Sequence, residues 1–236
     1  MTYQWDWQVF LRDDGGGRTY LEWLMSSWGW TLSVAACSWV IALAIGSVIG
    51  TLRTVPNRAL ARVGDAWVEL FRNIPLLVQI FLWYHVVPAV IPPFKGLPAF
   101  VLVVFALGFF TSARVAEQLR AGIQSLSRGQ GLAGQALGLT VARTYRHVIL
   151  PMAFRIVIPP LTSEAMNIIK NSSVAFAVSI AEMTMFAMQA QEETSRGIEI
   201  YLAVTGLYIV SAFAVNRVMA SIESRVRVPG YIGGDR

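Results

Sequence analysis

The sequence predicts an all-α integral membrane protein, a helical bundle of about five transmembrane helices in a single domain spanning residues 1–236. Three observations predict it. Apolar residues fill 55% of the 236 positions and charged residues only 14%, against about 25% charged in soluble domains. The apolar residues come in runs of roughly 20, the length that crosses a bilayer core. The connections between those runs alternate in charge, as the positive-inside rule demands of a multi-pass chain.

The first predicted span is about Ser27–Leu52, rich in the small residues that let membrane helices pack closely. The second runs from about Val68 to Ile91, with a kink expected at Pro75. The third covers about Pro98–Val115. The fourth is about Met152–Ala177, interrupted by Pro159-Pro160, and the fifth is about Ile200–Ala220. Trp28, Trp30 and Trp83–Tyr84 read as interfacial belt residues. Met183, Met185 and Met188 read as packing residues of a short helix before the fifth span. Asp13–Arg18, with three glycines, reads as a flexible turn before the first helix.

The charges orient these spans. Arg53, Arg58 and Arg62 follow the first, before any acid. Arg114, Arg120, Arg128, Arg143, Arg146 and Arg155 follow the third, against Glu117 alone. Arg217, Arg225 and Arg227 end the chain. The alternate connections carry only Lys95 in one case, and Glu182, Glu192, Glu193 and Glu199 against Arg196 in the other. Five spans then put the N-terminus outside and the C-terminus in the cytoplasm.

Several function classes are excluded. The formal charge is +5, but the basic residues flank apolar runs, so they fit lipid headgroups rather than nucleic acid. Cys37 is the only cysteine, which rules out an intrachain disulfide or a Cys-based metal site. His85 and His147 have no metal-ligand spacing, and no GxxxxGK[ST] phosphate loop occurs. No nucleophile–base constellation stands out, so the chain is expected to be no enzyme and to carry no cofactor. Met1 to Asp14 mixes aromatic and acidic residues, so no cleavable signal peptide is expected and the first span should direct insertion.

The connection at about 120–150 is long for a helical bundle, and long loops tend to be functional. Leu132, Ala133, Ala136 and Leu137 fall on one apolar helix face. Gly138 is a suitable helix stop. Thr140 can cap a second helix over Val141–Ile149, and Pro151 marks the start of the fourth span. A short helix of this kind needs a surface to dock on, either its own bundle or a partner.

The run Gly129-Gln130-Gly131-Leu132-Ala133-Gly134-Gln135-Ala136-Leu137-Gly138-Leu139, followed by Val148-Ile149-Leu150-Pro151, resembles the EAA loop of ATP-binding-cassette (ABC) importer permeases. In that family the loop carries a coupling helix that inserts into a groove on a cytoplasmic ATPase. Leu132 and Gly134 depart from the pattern, standing where the family usually has Glu and Ala. Glu69-Leu70-Phe71-Arg72-Asn73-Ile74-Pro75-Leu76-Leu77-Val78-Gln79, Ile158–Glu164 and Lys170-Asn171-Ser172-Ser173 are similar to the polar amino acid uptake permeases. Trp5-Asp6-Trp7, Thr54–Arg58 and Val228-Pro229-Gly230 look most like the glutamate/aspartate importers. The resemblance covers nearly the whole chain from Thr19.

It implies the type I importer permease fold, and a permease subunit that moves glutamate or aspartate across the bacterial inner membrane. It implies two cytoplasmic ATPase subunits, a second permease (paralogue or identical copy) and a soluble extracytoplasmic binding protein as partners, with Leu132, Ala133, Ala136, Leu137 and Gly138 at the ATPase. A permease for another polar amino acid is the alternative. A secondary carrier would call for inverted repeats and more helices.

The fourth span carries Glu164, Asn167, Lys170 and Asn171, which fall within an arc of roughly 120° at about 100° per residue. Glu164 and Lys170 are too far apart in sequence for a direct i, i+3 or i, i+4 pair. Each then needs another partner: a neighbouring helix, the interface, or a zwitterionic substrate whose ammonium meets Glu164 and whose carboxylate meets Lys170. Permeases for cationic or neutral substrates often have Asp after the Lys. Asn171 leaves Lys170 unopposed, which favours an acidic substrate.

Overall fold

A computed structural model describes residues 3–226. Arg227 and the Val228-Pro229-Gly230 segment lie outside the described residues. Eight helices carry the fold: α1 Tyr20–Leu52, α2 Arg58–Asn73, α3 Leu76–Val90, α4 Ala99–Gln124, α5 Arg128–Ala136, α6 Val141–Val178, α7 Met183–Thr194 and α8 Gly197–Val226. The one β feature among the described residues is an isolated bridge from Asp13 to Thr19.

Helices α1, α4, α6 and α8 are each long and apolar enough to cross a membrane, and α2 with α3 makes a fifth candidate bent by 103°. The bend corrects the expectation of one kinked span beginning at Val68. Pro75 disfavours the helical conformation for its predecessor, and here Ile74 is extended at φ −93°, ψ 129°. Two separate helices result.

The fourth span differs in the opposite sense. Its helix runs unbroken through Pro159 and Pro160, from Leu150 to Asn171. It also begins ten residues before Leu150's neighbour Pro151, because Val141–Thr144 continues through a π-turn at Tyr145–Ile149. Proline's fixed φ is helical, and its cost is the lost hydrogen bond; membrane helices tolerate that cost where neighbouring groups re-satisfy the backbone. The third span also runs longer, to Gln124, so Arg114, Glu117 and Arg120 lie on a helix rather than in a connection.

The chain packs as two compact units. Among the described residues, the first takes 3–39, 75–107 and 167–214; the second takes 40–74, 108–166 and 215–226. In the first, Val9, Phe10, Tyr20, Trp23 and Leu24 close a core with Met183, Phe186, Ala187, Ala190, Ile200 and Val204. The four α7 members follow the i, i+3, i+4, i+7 spacing of one helix face. Met188 points away from this core and is exposed. Glu182 caps α7, accepting from the Thr184 and Met185 backbone N–H groups at 2.8 and 2.9 Å and from the Tyr208 hydroxyl at 3.1 Å. Burial pushes its carboxyl up, and those hydrogen bonds oppose the rise. Trp28 packs inward: its indole donates to Ser211 Oγ at 2.8 Å and lies against the core. In the Asp13–Arg18 segment Asp14 pairs with Arg18.

In the second unit Ile49, Val68, Ala113 and Ala116 form the core, flanked by Trp67 and Phe71. The Trp67 indole donates to Ser112 Oγ at 3.0 Å. Glycines at an i, i+4 spacing let α1 meet α4 backbone to backbone. A Cβ at Gly46 would lie 2.8 Å from the Ser112 carbonyl oxygen, and one at Gly50 2.8 Å from that of Ala116. Gly50→Leu is therefore expected to destabilise the protein by about 1–3 kcal/mol or more through overpacking, read as a lower thermal unfolding midpoint in detergent. Gly29→Leu, with nothing within 4 Å of its Cβ position, should leave the midpoint unchanged.

Candidate functional site: a coupling helix and a polar stretch

Helix α5 ends as its sequence predicts. Gly138 adopts φ +77°, a conformation that suits glycine. Its N–H bonds the Gln135 carbonyl at 2.9 Å and the Leu139 N–H bonds that of Gly134 at 3.1 Å, the Schellman pattern. Thr140 then accepts from the Arg143 N–H at 3.4 Å and starts α6.

The apolar residues of α5 do not dock on the rest of the chain. Leu132 is 64% exposed and Leu137 82%, and Ala133, Ala136 and Gly138 are exposed with them. The buried residue of α5 is Gly134, whose added Cβ would stand 2.9 Å from Thr144 Cγ2. That contact accounts for the departure from Ala: glycine lets α5 lie against the first turn of α6. The resulting platform presents two leucines and two alanines outward.

A charge cluster in the same unit escaped sequence reading, because Arg53 and Glu117 looked like connection charges. Arg53 lies across Gly64, where a Cβ would meet its Cγ at 2.5 Å. Its Nε donates to Asp65 at 2.7 Å and its Nη1 lies 2.9 Å from Glu117 Oε1, with only 6% of the side chain exposed. Arg72 adds a weaker contact to Glu117 at 3.5 Å. The Thr54 carbonyl next to Arg53 accepts from the Tyr145 hydroxyl at 2.6 Å. One cation thus ties the end of α1 to α2 and α4, and the adjoining residue ties it to α6.

The four polar residues of the fourth span have different surroundings. Glu164 is buried, and Arg114 of α4 supplies its cation at 3.7 Å. Asn167 and Asn171 are half-buried. Lys170 is exposed, with no ion pair among the described residues. Past Asn171 the helix tightens to a 3₁₀ turn over Ser172–Val178, where Ser172 and Ser173 return their hydroxyls to the Ile169 and Lys170 carbonyls at 2.7 Å.

Spans, an outward apolar platform and a polar stretch within a span together describe a transport subunit, and residues 42–228 match the family of binding-protein-dependent transport system inner membrane components. The chain belongs to that family. This permease is 42% identical to the glutamate/aspartate import permease protein GltJ of Escherichia coli (strain K12), over 99% of its own length and all of that protein. It is 27% identical to the glutamate/aspartate import permease protein GltK of Escherichia coli O6:H1, over 94% and 99% of the two chains. It superposes on a chain of an amino acid ABC transporter crystallised with histidines at 30% identity and TM-score 0.75, covering 87% and 95% of the two chains.

Removing the buried Arg53 guanidinium leaves two carboxylates facing one another. Arg53→Ala is expected to destabilise the permease by up to about 3–5 kcal/mol, whereas Arg72→Ala, at an exposed pair, should cost under about 1 kcal/mol. Thermal unfolding of both variants in detergent checks the ranking.

Proposed function

We propose that this chain is the membrane subunit of an ATP-driven importer of acidic amino acids, glutamate or aspartate. The observation that carries the reading is the outward face of α5. A helix that turns Leu132 and Leu137 away from its own protein has a partner to meet, and helix-in-groove docking suits four apolar residues on one face. The partner is a cytoplasmic ATPase, one per permease, and ATPase closure moves α5 and with it the helix α6 that follows a tight turn later. A second permease, copy or paralogue, completes the pathway, and a soluble binding protein delivers the substrate.

The orientation puts α5 inside the cell. Arg58, Arg62, Arg128, Arg143 and Arg146 mark the cytoplasmic ends of the spans, and Glu192, Glu193 and Glu199 the outer side. The N-terminus is then outside and the C-terminus in the cytoplasm. The identity with GltJ supports the acidic substrate. So does the chemistry of the polar stretch, in which Glu164, Asn167, Lys170 and Asn171 face the transported molecule. Lys170 is a free cation, and Asn171 beside it adds no negative charge.

Uptake of labelled glutamate by cells with and without the chain tests the reading, with ATP depleted in a parallel arm. Uptake that needs both the chain and ATP supports it; uptake that survives ATP loss contradicts it. Leu137→Asp places a charge on the docking face and should abolish co-purification of the ATPase while leaving the thermal midpoint unchanged. Lys170→Ala should abolish uptake with the complex intact, and Asn171→Asp should weaken acidic substrates, both read by transport in proteoliposomes.

A further inference from the structure

The Arg114–Glu164 pair differs from the Arg53 cluster in the same unit. Arg53 donates to Asp65 at 2.7 Å and has Glu117 Oε1 at 2.9 Å from its Nη1, a close charge contact without hydrogen-bond geometry. Arg114 Nη1 stands 3.7 Å from Glu164 Oε2, close enough for attraction and too far for a hydrogen bond. Glu164 Oε2 is buried and accepts from no donor. One turn earlier on α4 the buried Thr111 hydroxyl is also without a partner. The Arg114 guanidinium rests over the Phe110 ring at 5.3 Å, and 43% of the side chain remains uncovered.

Both residues sit on helices apolar enough to cross a membrane. A guanidinium does not shed its proton to escape such surroundings, and a buried acceptor left open is costly. A cation with unused donors and an anion with an unused oxygen, held slightly apart, call for a ligand that carries both charges. The two charged groups of an amino acid hang from one carbon through bonds of about 1.5 Å each, so such a ligand offers its anion and cation at close range. An arginine fork suits a carboxylate, which it can take through two parallel N–H···O bonds.

We infer that Arg114 and Glu164 grip the backbone of the transported amino acid, Arg114 binding its α-carboxylate and Glu164 its α-ammonium. The inference rests on the reading of the chain as an amino acid importer but not on which side chain the substrate carries. It makes Arg114 a substrate-binding residue, and it explains why the pair is left loose: a tight ion pair would have to be broken before substrate could enter.

The test is equilibrium binding of tritiated L-glutamate to the whole complex in lipid nanodiscs without binding protein. The competitors are L-glutamine, amidated on the side chain, and L-isoglutamine, amidated on the α-carboxylate. The wild type should reject isoglutamine. Arg114→Gln should weaken glutamate by about tenfold or more and lose most of its discrimination against isoglutamine, with Arg114→Lys recovering part of both. A merely structural role would weaken all three ligands alike, so an Arg114→Gln complex that still rejects isoglutamine as the wild type does overturns the inference. Should Arg114→Gln fail to assemble, Glu164→Gln decides the matter. It should lose discrimination between glutamate and 2-hydroxyglutarate, which lacks the ammonium; retained discrimination overturns the grip. A wild type that binds glutamine as tightly as glutamate would refute acid selectivity instead, and the α-amide comparison run with glutamine would still decide Arg114.

Discussion

The five-residue passage from Ala136 to Thr140 is the constraint on which the permease depends. It joins a nine-residue helix to one of 38 residues with almost no freedom. Gly138 closes the first helix with two hydrogen bonds, Thr140 opens the second, and Gly134 lets the two touch at Thr144. The turn is short and closed by hydrogen bonds, so α5 and the start of α6 are joined closely. On the proposed reading, this short turn links the exposed leucines to α6.

Charge is distributed to suit this arrangement. Arg53 has two carboxylates close by: it donates to Asp65, has Glu117 beside its Nη1, and Gly64 gives it room. It behaves as a rivet at the end of α1, and through Thr54 and Tyr145 the same end contacts α6. Arg114 is the contrast, a cation on a spanning helix whose acid stays beyond hydrogen-bonding distance. The first kind of pair holds helices together. The second has spare bonding capacity, which is what a site that takes and releases a charged ligand requires.

Much of this was legible in the residues. The span count follows from apolar runs and charge alternation, and the α5 turn from Gly138 and Thr140, because those signals are local. Three things were not legible. The bend at Pro75 and the straight passage through Pro159-Pro160 look alike in sequence, since each is a proline inside an apolar run; what differs is whether the preceding residue, Ile74, turns extended. Arg114 and Glu117 were counted with a connection because charge ends a hydropathy run, yet on α4 each finds an opposite charge from another helix. Trp28 looked interfacial by type, and only its contact with Ser211, far along the chain, makes it a packing residue. Long-range partners decide such cases, and no window of neighbouring residues contains them.

The central claim is that α5 is a cytoplasmic hook for a motor protein, and one labelling measurement tests it directly. Cys37 is the only cysteine and is exposed, so Cys37→Ser gives a silent background into which Leu137→Cys is introduced. A membrane-impermeant maleimide is then applied to intact cells and to inverted vesicles, the latter with and without the ATPase. The account predicts labelling only in inverted vesicles, suppressed when the ATPase is bound. Labelling of position 137 in intact cells would contradict it.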